Sequence, residues 1–239
     1  MNCTKKDMLL YAVTDRSWTG EKTLMEQVKE ALDGGITFLQ LREKHLGEEE
    51  LLREAKDMKA LAAAYHVPFI INDNVELALA IDADGVHVGQ EDMEAGKVRE
   101  KLGPDKIIGV SAHSVEEAIE AEKNGADYLG AGAVFSTSTK EDAGALSRET
   151  LEAICRSVSI PVVAIGGVKE ENISTLKGTG ISGAAIISGI FAQENIREAC
   201  VRLRSLLREV VEERKIQRYR ELFLTWTEPC WILWGTGNI

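Results

Sequence analysis

Asp84-Gly85-Val86-His87-Val88-Gly89 is a short apolar run bounded by glycine, the form of a buried β-strand. It has two partial echoes, Gly125-Ala126-Asp127-Tyr128-Leu129-Gly130 and Gly183-Ala184-Ala185-Ile186-Ile187-Ser188-Gly189. Such self-similarity fits a fold assembled from one repeated unit. Working outward, runs rich in Val and Ile complete a set of eight: Leu9 to Thr14, Phe38 to Arg42, Pro68 to Asn72, Gly85 to Gly89, Lys106 to Ser111, Tyr128 to Phe135, Pro161 to Gly166 and Gly183 to Ser188. Between them lie stretches with apolar residues three and four apart, among them Leu24 to Asp33, Glu48 to Tyr65, Val115 to Lys123 and Arg148 to Ser157. Ser114 and Glu117 have the S-x-x-E form of a capping box, which predicts the start of the fifth helix. Eight strand-helix alternations in 239 residues match an α/β fold of the (β/α)8 TIM barrel kind, typically about 250 residues, better than a doubly wound sheet.

After Arg208 the pattern changes. Glu209 to Arg220 is a charge-dense helical stretch, and Phe223 to Ile239 carries three of the four tryptophans. The reading is therefore a barrel over residues 1–208 and a helical, Trp-rich C-terminal appendage over 209–239 that is not a separate domain. Packed element and unstructured tail both remain open on composition. Large aromatics left in water favour association, so Trp226, Trp231 and Trp234 are expected to cover apolar surface on the barrel or on a second copy in a homo-oligomer.

The charge balance excludes other classes. With 28 Lys and Arg against 39 Asp and Glu, the net charge is −11, which argues against nucleic acid or an anionic membrane as partner. A phosphorylated ligand must then be held by a local cationic pocket. Cys3, Cys155, Cys200 and Cys230 form no C-x-x-C pair, so reduced thiols and a cytoplasmic location are the expectation. No signal-peptide pattern opens the chain, and no run reaches the roughly 18 apolar residues of a membrane helix. Leu222 to Trp234 comes nearest but is interrupted by Glu228 and Pro229.

In a barrel of this kind, chemistry belongs at the carboxyl ends of the strands. In Gln40-Leu41-Arg42-Glu43-Lys44 a period of two points Gln40, Arg42 and Lys44 the same way, with two cations where the strand opens into its loop. That pattern describes an anion site, or equally a solvated strand end with Glu43 as partner. Asp73 and Asp92 follow the third and fourth strands and come within reach of one another. Magnesium usually takes one or two protein carboxylates and fills the rest of its octahedron with water and substrate phosphate. The competing reading is that both aspartates cap helices. Ser111 closes strand five, Ser136-Thr137-Ser138-Thr139-Lys140 follows strand six, and Gly166-Gly167 and Ser188-Gly189 fall where many barrels bind phosphate on backbone N–H groups. Gly178-x-Gly180-x-x-Gly183 matches the dinucleotide fingerprint in letters but precedes a strand instead of following one, and reads as a turn. The four histidines have no zinc spacing, and His87, inside a strand, reads as structural.

Taken together these residues resemble the thiamine-phosphate synthase family over about residues 9 to 205. The resemblance is carried by Tyr11-Ala12-Val13-Thr14-Asp15, Gln40 to Lys44, Ile71-Asn72-Asp73, Gly85 to Asp92, Gly109 to His113, Thr137 to Lys140, Ile165-Gly166-Gly167 and Ile187-Ser188, in family order. It implies a pyrimidine diphosphate substrate held by Gln40, Leu41, Arg42, Glu43, Lys44, Asn72, Ser111 and Lys140, with magnesium on Asp73 and Asp92. It places a thiazole phosphate on Thr137, Ser138, Thr139, Gly167, Ile187 and Ser188, and the chemistry itself on Lys140, Arg42, Lys44 and Ser111. The implied reaction is a dissociative substitution in which diphosphate leaves the exocyclic methylene and the thiazole nitrogen captures the cation. That nitrogen attacks with a free lone pair, so the absence of an evident general base is consistent with it. Ser138 departs from the family, where this position is often proline, and the tail from about Glu213 has no counterpart in the family pattern. Two alternatives stand beside this reading. A thiazole tautomerase-like barrel would carry histidine where Ala133 precedes Val134-Phe135, and a non-catalytic barrel sensing a phosphorylated metabolite would not need both aspartates and Lys140.

Overall fold

The computed structural model describes residues 4–136 and 146–226, with side chains as far as residue 212. Eight parallel strands close into a barrel in chain order: β1 (Leu10–Val13), β2 (Phe38–Leu41), β3 (Phe69–Asn72), β4 (Gly85–Val88), β5 (Ile107–Ala112), β6 (Tyr128–Gly132), β7 (Val162–Ile165) and β8 (Gly183–Ile186), with β8 pairing back to β1. The helices are α1 (Leu24–Asp33), α2 (Glu48–Ala64), α3 (Val75–Ala80), α4 (Ala95–Leu102), α5 (Val115–Lys123), α6 (Arg148–Ser157), α7 (Ser188–Phe191) and α8 (Ile196–Trp226). This is the expected (β/α)8 barrel. Helices α1, α5 and α6 occupy the stretches their periodicity predicts. Between β7 and β8 a single 3-10 turn, Ile173–Leu176, stands in place of a helix. The sixth strand stops at Gly132, short of the predicted Phe135, although Val134 and Phe135 still donate backbone N–H bonds to Ile165 and Gly166.

Local signals explain the helix starts. Thr23 and Glu26 cap one another reciprocally at α1. At α5 only half of the predicted box forms: the Ser114 side chain accepts from the Glu117 N–H, but the Glu117 carboxylate turns to the His113 N–H (2.7 Å) and His113 Nδ1 (3.1 Å). Helix α8 runs unbroken through the Arg208–Glu209 boundary to Trp226. Trp231, Trp234 and the side chain of Trp226 lie outside the described residues.

Each strand is buried on both faces, and the alternation of side chains splits the core in two. Outward, Leu10, Ala12, Leu39, Leu41, Ile71, Val86, Ile108 and Leu129 join the helices in a large apolar layer. Inward, Tyr11, Val13, Phe38, Ile70, Ile107, Tyr128, Val163 and Ala185 fill the barrel. The rings of Tyr11, Phe38 and Tyr128 meet edge to face, with centroids 4.8 to 5.9 Å apart. Glycine makes room for them: Gly109 lies directly across from Tyr128, and a Cβ there would strike the phenol ring. The self-similar strand starts also have a structural meaning. Asp84 and Asp127 each use a carboxylate oxygen to accept a backbone N–H of the preceding strand, from Phe69 and Ile108 (both 2.8 Å).

Candidate active site

A cavity opens at the carboxyl ends of the strands. Gln40 and Arg42 from β2, Asn72 from β3, His87 from β4, Ser111 from β5, and Gly167, Ile187 and Ser188 from the last two units line it. Seven predicted positions are thereby gathered, from strands spread around the barrel. Gln40 is 3% exposed and donates through Nε2 to the Tyr11 hydroxyl at 2.6 Å. Arg42 is anchored through its backbone, donating its N–H to Thr14 Oγ1 (3.0 Å), and its guanidinium lies 3.5 Å from Asp15.

The remaining residues of the 40–44 segment do different work. The Leu41 side chain points outward into the apolar layer against the helices, so only its backbone faces the mouth. Glu43 is paired with neither Arg42 nor Lys44. Its carboxylate takes the Arg16 guanidinium at 2.7 Å and the N–H groups of Lys44 (2.9 Å) and His45 (3.0 Å). Burial pushes the Glu43 carboxyl up, but Arg16 and those N–H donors outweigh it and hold it below the ordinary carboxylate value. Glu43 thus braces the loop after β2. Lys44, beyond the strand, is exposed and outside the lining, so the alternation that aligned it with Arg42 ends with the strand.

Asp73 and Asp92 stand at the ends of the hydrogen-bonded neighbours β3 and β4, both exposed at the mouth. The Asp73 backbone adopts φ 61°, a left-handed conformation that aspartate tolerates better than most residues. Its N–H donates to the His87 carbonyl (2.8 Å), and its carboxylate accepts from Asn72 Nδ2 (2.5 Å). Asp92 accepts the Gly89 N–H at 2.7 Å. Each carboxylate accepts a hydrogen bond from a neighbouring residue, and each supplies hard oxygen atoms at the exposed mouth. No group of three or more metal-ligating side chains occurs among the described residues. Two carboxylates fit a magnesium ion that completes its shell with water and phosphate oxygens.

On the opposite wall, Gly166 (φ 93°) and Gly167 (φ 66°) both take left-handed backbone. A Cβ on Gly167 would lie 2.6 Å from the Ser136 carbonyl and 2.9 Å from the Phe135 Cβ, so the loop after β7 can pass the end of β6 only as glycine. Ser188 opens the one-turn α7, beside this loop. Thr137, Ser138, Thr139 and Lys140 lie outside the described residues.

Four lining or supporting residues were not singled out as functional by sequence reasoning. Tyr11 and His87 line the cavity and form a polar cluster with Tyr128, and His113 lines the cavity while bonded to Glu117. A polar residue inside a strand buried on both faces, as His87 is, was the available signal.

The sequence profile of the thiamine monophosphate synthase family matches residues 10–190, a span that includes every predicted site position. A thiamine-phosphate synthase of Ruminiclostridium cellulolyticum is 53% identical over 200 residues, covering 84% of this chain and 95% of that protein. One from Clostridium acetobutylicum is 52% identical over 192 residues, covering 80% and 91%. Among solved structures, a thiamine phosphate pyrophosphorylase from Pyrococcus furiosus superposes with a TM-score of 0.80 at 43% identity, covering 87% of this chain and 98% of that one. With the family profile matched over residues 10–190, about half of the aligned positions identical to these relatives and the barrel in common with the solved structure, the chain belongs to the thiamine monophosphate synthase family.

Proposed function

We propose that the barrel mouth joins an aminopyrimidine carrying a methylene diphosphate to a thiazole phosphate, giving thiamine phosphate and free diphosphate. The observation that carries this reading is the convergence of Gln40, Arg42, Asn72 and Ser111 on one side of a cavity whose other side is the Gly166-Gly167 and Ile187-Ser188 wall. The first set suits a diphosphate with a polar ring. The second, a left-handed glycine pair beside the start of α7, suits a phosphate monoester.

In the bond-breaking step the methylene C–O bond cleaves and diphosphate departs with the electron pair. The thiazole nitrogen then forms the C–N bond with its lone pair, and the reaction needs no proton transfer to or from a side chain. What the protein supplies is charge stabilisation by groups gathered at the cavity. Arg42 presents a cation there, Lys44 is assigned a second one from the exposed loop outside the lining, Lys140 is assigned the leaving diphosphate, and Ser111 a hydrogen bond to the pyrimidine substrate. Thr137, Ser138 and Thr139 are assigned to the thiazole phosphate. Asp73 and Asp92 would hold magnesium, which when bound neutralises charge on the diphosphate. Leu41 and Glu43 serve by shaping the loop that carries Arg42 and Lys44.

We assign residues 209–239 to an appendage outside the catalytic unit, so a chain ended after about Arg214 should keep its activity while losing thermal stability or changing oligomeric state. No described helix is long and apolar enough to cross a membrane. Cys155 and Cys200 are buried, and burial pushes the Cys200 thiol up to about 12. Inert, reduced thiols suit the cytoplasmic location we assign.

Incubation of the full chain with both phosphorylated halves and magnesium should yield thiamine phosphate and diphosphate in equal amounts. Isomerisation of the thiazole phosphate alone, with no coupling, would favour the tautomerase reading. Tight binding of either half without turnover would favour the sensor.

A further inference from the structure

The barrel interior contains an unbroken line of hydrogen bonds whose two ends are predicted substrate contacts. Gln40 Nε2 meets Tyr11 Oη at 2.6 Å, Tyr11 Oη meets Tyr128 Oη at 2.8 Å, Tyr128 Oη meets His87 Nδ1 at 2.8 Å, and His87 Nε2 meets Ser111 Oγ at 3.0 Å. The three middle residues are almost wholly buried, Tyr128 at 0%, Tyr11 at 1% and His87 at 7% exposure. The strands place them so: Asn72, His87, Gly109 and Tyr128 are successive partners across β3 to β6, and Gly109 has no side chain to separate the Tyr128 phenol from its neighbours.

We propose that Tyr11, Tyr128 and His87 are positioning residues that couple Gln40 to Ser111 and fix which way each presents its proton. The assigned direction starts at the Gln40 end, where the amide nitrogen can only donate. Tyr11 accepts from Gln40 and gives its proton to Tyr128, and Tyr128 gives its own to His87 Nδ1. His87 is then held as the tautomer with the proton on Nε2, which it donates to Ser111 Oγ. Two consequences reach the cavity. Gln40 keeps its carbonyl oxygen as an acceptor, and Ser111, already accepting from His87, has its hydroxyl proton free to donate to a ligand. The line thus converts two polar groups at its ends, Gln40 and Ser111, into an acceptor and a donor of fixed sense. A phenol or imidazole buried for packing alone would need no such order, and chains of this kind strengthen one another in a low-dielectric interior.

This inference rests on the synthase reading for its kinetic consequences but not for its spectroscopic one. In the full-length protein labelled at the histidine ring nitrogens, His87, identified by the signals lost in His87→Gln, should show an unprotonated Nδ1 and a protonated Nε2. A proton on Nδ1 would overturn the proposed direction whether or not the protein makes thiamine phosphate. Tyr128→Phe keeps the ring and removes the hydroxyl at the middle of the line. It should lower kcat/KM for the pyrimidine diphosphate roughly five- to tenfold, with KM for the thiazole phosphate unchanged. Because one break interrupts the line, adding Tyr11→Phe to Tyr128→Phe should cost little more. Losses that multiply would show two independent contacts and overturn the coupling. His87→Gln, which retains an acceptor and a donor, should keep more activity than His87→Leu, and equal losses in two folded variants would also count against it. A wild-type protein with no synthase activity would remove the functional reading alone, since the tautomer still decides the proposal.

Discussion

The two faces of the same eight strands have been given to different tasks. Outward from the sheet, Leu39, Leu41, Ile71, Val86, Ile108 and their neighbours are apolar without exception and meet helices. Inward, the lower part of the barrel is filled by Phe38, Ile70, Ile107 and Val163, and polar groups enter toward the carboxyl ends as Gln40, Asn72, His87 and Ser111. Since side chains alternate, adjacent residues such as Leu39 and Gln40, or Leu41 and Arg42, divide stability and chemistry between them with no spare position. A substitution on one face should therefore move one kind of measurement and leave the other alone.

The largest effect is expected at the mouth. Asp92→Asn retains a carbonyl oxygen that can still accept the Gly89 N–H, so the loop should hold its shape while the carboxylate charge is lost. Turnover should fall by about 10³-fold or more with little change in Tm. Full activity of both Asp92→Asn and Asp73→Asn after chelator treatment would break the assignment of the metal to this pair. Next comes Lys140→Ala, for which a loss of about 10²- to 10³-fold in kcat is expected if the lysine faces developing charge on the leaving group. A variant that instead lost only thiazole phosphate affinity would move Lys140 to the other substrate.

The outer face predicts the reverse signature. Leu39 is fully buried against the helix layer, one residue from Gln40. Leu39→Ala should lower unfolding free energy by about 2–5 kcal/mol, yet leave kcat per folded molecule near the wild-type value. A large drop in specific activity at unchanged stability would mean that the two faces are not separable. The smallest effect belongs to Glu43, which sits between these categories. Its carboxyl is held below its ordinary value, so its pairing stabilises the folded chain above about pH 4.5 and is lost as pH falls through the lower folded-state value. Glu43→Gln should then be less stable than wild type at neutral pH, and the difference in Tm should close on acidification. A constant difference across that range would show that charge is not what braces the loop.

How far the sequence reveals this division depends on the residue. The barrel was legible because eight β-branched runs alternate with helical periods, and helices α1, α5 and α6 were placed to the residue. The 3-10 turn at Ile173–Leu176 was not, because a short apolar stretch carries no period long enough to tell one helical turn from several. In the site, polar residues inside apolar strands marked Gln40, Asn72 and Ser111. Glu43 and Leu41 were grouped with them by the family resemblance, and the parity of the strand and the reach of Arg16 give their side chains other contacts. Tyr11 and Tyr128 stayed hidden for a related reason: in strands buried on both faces, apolar periodicity does not tell inside from outside. The glycine at 109, opposite Tyr128, was the mark of a large ring crossing the barrel, and it becomes readable only once the register is known.

The central claim is that the inward face at the strand ends grips a diphosphate. Calorimetric titration of the pyrimidine diphosphate with magnesium, in the absence of the thiazole partner, tests it on wild type and Arg42→Ala. Arg42 lines the cavity and reaches Asp15 at 3.5 Å, and the neighbouring Leu41 belongs to the outer layer. The account predicts binding weakened by about tenfold or more in Arg42→Ala, in line with about 1.5–3 kcal/mol for a hydrogen bond to a charged group, with Tm nearly unchanged. Equal affinity in the two proteins, with Arg42→Ala folded, would contradict it.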